Sequence, residues 1–137
     1  MKNFLQIWLV PVVLLSGSTL FSCNDPVDVK PTLTNAEVET LNFMIQEEKL
    51  ARDVYTYFFD LYGLNIFGNI SGSEQKHMDK VRDLMIAYDL EVNVPEAAGV
   101  FSIDALQTLY NDLILSGEQS LLDALIVGAT IEDKDIF

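Results

Sequence analysis

Between Thr34 and Tyr62 the chain runs without proline or glycine, and its apolar residues recur every three or four positions, the period of an amphipathic helix. Leu41, Met44, Ala51, Tyr55, Phe58 and Tyr62 form the apolar stripe. Gln46, Lys49, Asp53, Thr56 and Asp60 recur with the same period and predict a solvent face. Thr34 stands three residues before Glu37 in capping-box spacing, and Gly63 supplies a stop. A second helix is predicted from Asn65 or Phe67 to Tyr88, its stripe marked by Ile70, Val81, Leu84 and Tyr88. Asp89 to Val100, with Pro95 and Gly99, reads as a connection longer than an ordinary bundle turn, hence a crossover. Ser102 is placed to cap a short helix carrying Leu106, Leu109, Tyr110 and Leu113, which Gly117 ends. A last helix starts near Ser120, with Leu121, Leu125 and Gly128 on one line that Glu132 extends. No stretch alternates as a strand would, so the expected fold is an all-α helical bundle with a crossover loop.

Three apolar stripes contain a glutamate. Glu48 falls between Met44 and Ala51, Glu74 interrupts the second stripe, and Glu132 extends the last. Removing water from a carboxylate costs several kcal/mol unless something compensates, and one bound divalent cation would account for all three. The second helix sharpens this, because Glu74 and His77 lie three apart and leave the same face. Glu-x-x-His is the unit of carboxylate-bridged two-metal sites in helical bundles. By itself it is a weak motif, and a core histidine paired with Glu74 is the structural alternative. The apolar setting, the single histidine of the chain and Glu48 on a facing helix favour metal ligation. Glu47 is the alternative to Glu48, and Asp135 repeats the three-residue spacing after Glu132.

The N-terminus is a different kind of segment. Lys2 precedes the apolar run Phe4 to Leu15, which is shorter than the roughly 20 residues that span a membrane, so it reads as an export signal. Leu20-Phe21-Ser22-Cys23 resembles the lipobox of bacterial lipoproteins, which would make Cys23 the lipidated first residue of the mature chain. Residues 1–22 are then the signal peptide, 23–33 a tether and 34–137 the helical domain. Cys23 is the only cysteine, so no internal disulfide can form. The formal charge is −13, and loss of Lys2 makes it more negative, which disfavours nucleic acid as a partner. With one histidine, no Gly-x-Ser-x-Gly and no cysteine after Cys23, a nucleophilic hydrolase has no support.

The runs from Glu47 to Tyr55, Asn69-Ile70 with Ser73 to Met78, Gly99 to Phe101, Leu106 to Tyr110, and Ser120 to Leu125 through Ile131-Glu132 resemble the bacterial and archaeal ferritin-like family known as domain of unknown function 2202. Glu48, with Ala51, Arg52, Tyr55, Tyr57 and Phe58, also resembles the first-helix pattern of rubrerythrins, which favours Glu48 over Glu47. The resemblance implies a ferritin-like bundle and a non-haem di-iron or manganese centre, with Glu48 and Glu74 as bridging or terminal ligands and His77 terminal. It further implies oxidation of Fe(II) or scavenging of peroxide at that centre. Two departures stand out: Gln46 where three consecutive glutamates are usual, and Gly72 inside the second helix, which costs roughly 1 kcal/mol relative to alanine. Family members also continue past Glu132 into another long helix with a second histidine, so a C-terminally shortened bundle is expected. Three explanations stay open: a truncated sequence, a core completed by another subunit in a homo-oligomer, or an incomplete site. The expected protein is a membrane-anchored lipoprotein of the bacterial cell envelope whose partners are metal ions and, through Cys23, the membrane. The rival expectation is a non-enzymatic envelope lipoprotein whose bundle serves interaction or metal buffering.

Overall fold

The computed structural model describes residues 30–134. They form four helices and no strand: α1 (Asn35–Tyr62), α2 (Asn65–Ala87), α3 (Asp104–Gly117) and α4 (Leu121–Lys134). The all-α helical bundle expected from the periodicity is the architecture observed. All four helices belong to the compact unit that begins at Thr32, and none is long and apolar enough to cross a membrane. The proposed signal peptide, Cys23, the tether up to Val29 and Asp135 lie outside the described residues.

The start and stop of α1 follow from local chemistry. Thr34 Oγ1 accepts from the Glu37 backbone N–H at 3.3 Å, and Glu37 Oε2 accepts from the Thr34 N–H at 2.7 Å, so both halves of the capping box are present. The Thr34 N–H first, and second the Thr34 hydroxyl, which donates to the same Oε2 at 2.8 Å, hold the Glu37 carboxyl below the usual range. At the other end Gly63 takes φ 66°, a left-handed conformation that favours glycine, and its N–H bonds to Phe59 O at 2.8 Å. α2 can therefore turn back at once, after Leu64.

α1 is the central element and packs against α2, α3 and α4. One apolar cluster joins Val54, Tyr55 and Phe58 of α1 to Phe67, Leu106, Leu113, Ala124 and Val127. A Cβ on Gly117 would sit 2.1 Å from Phe58 Cζ, so the end of α3 approaches that ring as only glycine allows. A second cluster joins Leu41 and Ile45 to Met78, Val81 and Met85, covered by Leu90, Val92 and Val94 of the crossover segment.

That segment overturns part of the sequence reading. Gln46, Lys49 and Asp53 were expected on a solvent face, yet all three are buried; only Thr56 and Asp60 are exposed. Residues 88–103 lie over this side of α1 and satisfy it. Lys49 Nζ donates to Ala97 O at 2.9 Å, Gly99 N–H to Asp53 Oδ2 at 2.9 Å, and Ser102 N–H to Gln46 Oε1 at 2.9 Å. Ser102 consequently does not cap α3, whose N-cap is Ile103 without a side-chain bond. Conversely Met44, Leu84, Leu121 and Leu125 of the predicted stripes are exposed; Gly128 of the predicted α4 line is buried, together with Ala124, Val127 and Ile131.

Candidate metal centre

α1 and α2 run antiparallel, and polar contacts set their register. Thr56 Oγ1 meets Ser71 Oγ at 2.7 Å, and one turn back along α1 and one turn on along α2, Arg52 Nη1 donates to Gln75 Oε1 at 2.7 Å. Another step along this ladder brings Glu48 level with the turn that carries His77. His77 Nδ1 lies 3.0 Å from Glu74 Oε2 and 3.5 Å from Glu48 Oε2. One ligand atom from each of the three residues lies within 4.8 Å of the other two.

Those separations have a physical meaning. Nitrogen and oxygen ligands sit about 2.1 Å from a small divalent cation, so neighbours at octahedral or tetrahedral angles are roughly 3.0–3.4 Å apart. The 3.0 Å distance falls in that range and the 3.5 Å distance lies just beyond it. The 3.0 Å contact is also an ordinary hydrogen bond, whereas 3.5 Å is long for one. Burial grades across the cluster: Glu74 is buried, Glu48 half-buried, and the His77 side chain 45 % exposed at the rim. Two carboxylates held close, one of them buried, need positive charge between them, from an imidazolium or a cation. The residues present suit either.

Glu132 does not join this group. The Tyr55 hydroxyl lies 2.7 Å from Glu132 Oε1 and 3.0 Å from Gly128 O, so Glu132 is tied to α1 near Tyr55, two helical turns along from Glu48. A Cβ on Gly128 would come within 3.1 Å of the Tyr55 ring, the close approach that allows this bond. Glu47 lies elsewhere, at a cavity of about 20 Å³ with Leu50, Ala51, Leu109 and Leu113. Asp135 lies outside the described residues.

Beside the cluster runs a buried polar network that sequence reasoning missed. Lys49 Nζ donates to Asp53 Oδ2 at 2.5 Å and lies 4.5 Å from the centroid of the Phe101 ring. Arg52 Nη2 and Nε donate to Asp53 Oδ1 at 2.6 and 2.9 Å. Arg52 thus links this network to Gln75, the residue after Glu74. The i, i+4 spacing of Lys49 and Asp53 was visible in the sequence, but an exposed helix pair has the same spacing.

An antiparallel helix pair bearing Glu on one helix and Glu-x-x-His on the other, inside an all-α bundle, is the class of protein these observations define. The chain belongs to the family of the uncharacterized protein domain DUF2202, which matches residues 37–137. It is 46% identical over 108 residues to "Uncharacterized protein MJ0754" of Methanocaldococcus jannaschii, a match covering 78% of this chain and 58% of that protein. The crystal structure of hypothetical protein MJ0754 from Methanococcus jannaschii DSM 2661 superposes with a TM-score of 0.76 at 46% identity, over 78% of this chain and 62% of that one. The chain therefore spans about three fifths of the length of the relatives it matches.

Proposed function

We propose that this protein is a ferritin-like, exported lipoprotein that binds a redox-active divalent metal, iron or manganese, through Glu48, Glu74 and His77. The observation that carries the reading is the convergence of two carboxylates and one imidazole at ligand spacing around a buried glutamate. Hard carboxylates with an imidazole tolerate both oxidation states of iron and leave coordination positions open. When bound, the metal would supply one-electron chemistry toward Fe(II) oxidation or peroxide. A two-metal centre needs ligands beyond these three, and Glu132, the further ligand expected from the sequence, is held by Tyr55. In the chain's own chemistry, Glu74 contributes a charge that cannot relax into water, Glu48 a more accessible one, and His77 the solvent-facing edge where a small oxidant can enter. The lipobox-like Leu20-Phe21-Ser22-Cys23 supports anchoring through Cys23 at a cell-envelope membrane.

A second reading is supported by one observation. Among the described residues every buried side-chain N or O already has a hydrogen-bond partner, so the cluster is satisfied without a ligand. On that reading the protein is a non-enzymatic envelope lipoprotein whose polar cluster fixes helix packing.

Metal titration separates the two. A ligand bound only by the native state stabilises it, by about 2.7 kcal/mol at one hundred times its dissociation constant. Fe(II) and Mn(II) are expected to raise the melting temperature of the wild type, and Glu74→Gln, which keeps the side chain's shape, is expected to abolish both the shift and stoichiometric binding. A melting temperature indifferent to both metals, or binding unchanged in Glu74→Gln, sinks the metal reading.

A further inference from the structure

A cavity of about 240 Å³ lies where α1, α2 and residues 94–96 of the crossover segment meet, and its lining runs against the charge of the chain. The sequence has 21 acidic side chains and 8 basic ones. Three of those eight, Lys49 and Arg52 from α1 and Arg82 from α2, line this one cavity, and Glu96 is the single carboxylate beside them. A cavity lined at the chain's own ratio would show the opposite balance.

The cations are also under-matched in their bonding. Lys49 and Arg52 share one carboxylate, that of Asp53, to which the Gly99 N–H donates as well. Two positive charges against one negative leave a net positive charge on a network whose Lys49 and Asp53 side chains are almost wholly buried. Arg52, 20 % exposed, is the part of that network closest to solvent. Its Nη1 donates to neutral acceptors, Gln75 Oε1 at 2.7 Å and Met78 Sδ at 3.4 Å, both from residues that line the cavity. Arg82 stands one turn beyond Met78, about 6 Å along the helix axis, which puts an ion seated over Met78 within reach of both arginines. The Arg82 Nη1 pairs with Asp79 Oδ1 at 3.0 Å, while its Nε and Nη2 make no bond among the described residues. Glu96 is exposed, and the ion pairs of the three cations run to Asp53 and Asp79 instead.

We propose that this cavity binds a small oxyanion, a phosphate or a carboxylate, held chiefly by Arg52 and Arg82. A guanidinium is planar and keeps its proton at any ordinary pH, and its paired N–H groups match the oxygens of either ligand. The ligand supplies the negative charge that the Lys49–Asp53–Arg52 network lacks, at the point where that network approaches water. The acidic surface elsewhere opposes this little, because at about 0.1 M salt charges are screened over about 10 Å. The site is also formed in advance. Lys49 Nζ holds Ala97 O at 2.9 Å, and Asp53 Oδ2 holds the Gly99 N–H at 2.9 Å, which fixes the crossover next to residues 94–96. Pro95 restricts the backbone there. Little ordering then remains to oppose binding. The proposal stands independently of metal binding at Glu48, Glu74 and His77.

The test is isothermal titration calorimetry of the full chain in mild detergent, stripped of metal with a chelator and dialysed, so that phosphate cannot bind through an ion at the glutamates. Inorganic phosphate and succinate are titrated separately at a constant ionic strength of about 0.1 M. Saturable binding of one anion per chain is expected for at least one of the two. Phosphate alone identifies a phosphoryl site, and succinate alone a carboxylate site. Arg82→Gln alters a side chain 37 % exposed, so helical circular dichroism should be unchanged while that binding weakens about tenfold or more. Glu96→Gln removes the opposing carboxylate and is expected to leave the binding as tight or tighter. A dissociation constant weaker than about 1 mM for both anions overturns the proposal. Wild-type affinity in Arg82→Gln, or weakened affinity in Glu96→Gln, overturns it equally.

Discussion

Replacing Asp53 by alanine tests whether the crossover segment seals a charged pair into the interior. The Lys49 and Asp53 side chains are 1 % and 3 % exposed. The Asp53 carboxylate accepts from Lys49 Nζ, from Arg52 Nε and Nη2, and from the Gly99 backbone N–H. After Asp53→Ala the Lys49 ammonium keeps only Ala97 O and the Phe101 ring, on a side chain that is almost wholly buried. Removing one partner of a buried pair costs about 3–5 kcal/mol, against about 0–1 kcal/mol for an exposed pair. In a helical unit of this size, 1 kcal/mol corresponds to about 4–5 °C, so thermal melts followed by circular dichroism at neutral pH should fall by about 12–25 °C. A loss below about 5 °C would refute the reasoning, since that is what a solvated pair on the predicted polar face would show. Tyr110 supplies a second readout. Burial, and after it the Asp53 charge, hold its hydroxyl above the ordinary tyrosine value. Ultraviolet titration should therefore place Tyr110 lower in Asp53→Ala than in the wild type, yet still raised by burial. Because the folded value exceeds the unfolded one, the associated stability is complete below the unfolded tyrosine value and disappears as pH rises through the folded value.

Gly72 lies inside α2, and a Cβ there would meet no atom within 4 Å, so Gly72→Ala should stabilise the bundle by about 1 kcal/mol, a gain of about 4–5 °C; a lower melting temperature would show that something does approach that position. Glu37 should titrate below the ordinary glutamate value in carboxyl-detected NMR and move only part of the way back toward it in Thr34→Ala, which removes the hydroxyl bond to its carboxylate and keeps the backbone N–H bond, the larger cause. Since its folded value is depressed, the capping box contributes stability above the unfolded glutamate value and loses it as pH falls through the folded one, so an unchanged Glu37 titration in Thr34→Ala would contradict the assigned bonds.

Helix existence was legible from period alone. Thr34 with Glu37, and Gly63, mark the ends of α1 in the sequence and in the structure, because capping is settled within a few residues of chain. Glu74 was legible for a related reason: a carboxylate in an apolar stripe is conspicuous, and the neighbouring His77 has the right spacing. The burial of Gln46, Lys49 and Asp53 was not legible. Their helical period is that of a solvent face, and what buries them is Ala97, Gly99 and Ser102, more than forty residues away in the chain. A polar stripe under a crossover and a polar stripe under water have the same pattern.

The same distinction divides the site. Sequence determined that α2 carries Glu74 and His77 one turn apart, because the rise and twist of a helix impose it. Only tertiary structure decided which glutamate of α1 completes the cluster, through the Arg52–Gln75 and Thr56–Ser71 contacts that set the helix register and bring Glu48, not Glu47, beside His77. Tertiary packing likewise decided that Glu132 bonds Tyr55, and that Leu121, Leu122, Leu125 and Ile126 are exposed among the described residues. Periodicity states how residues are arranged around one helix axis; the azimuth and height at which two axes meet depend on contacts between segments far apart in the chain.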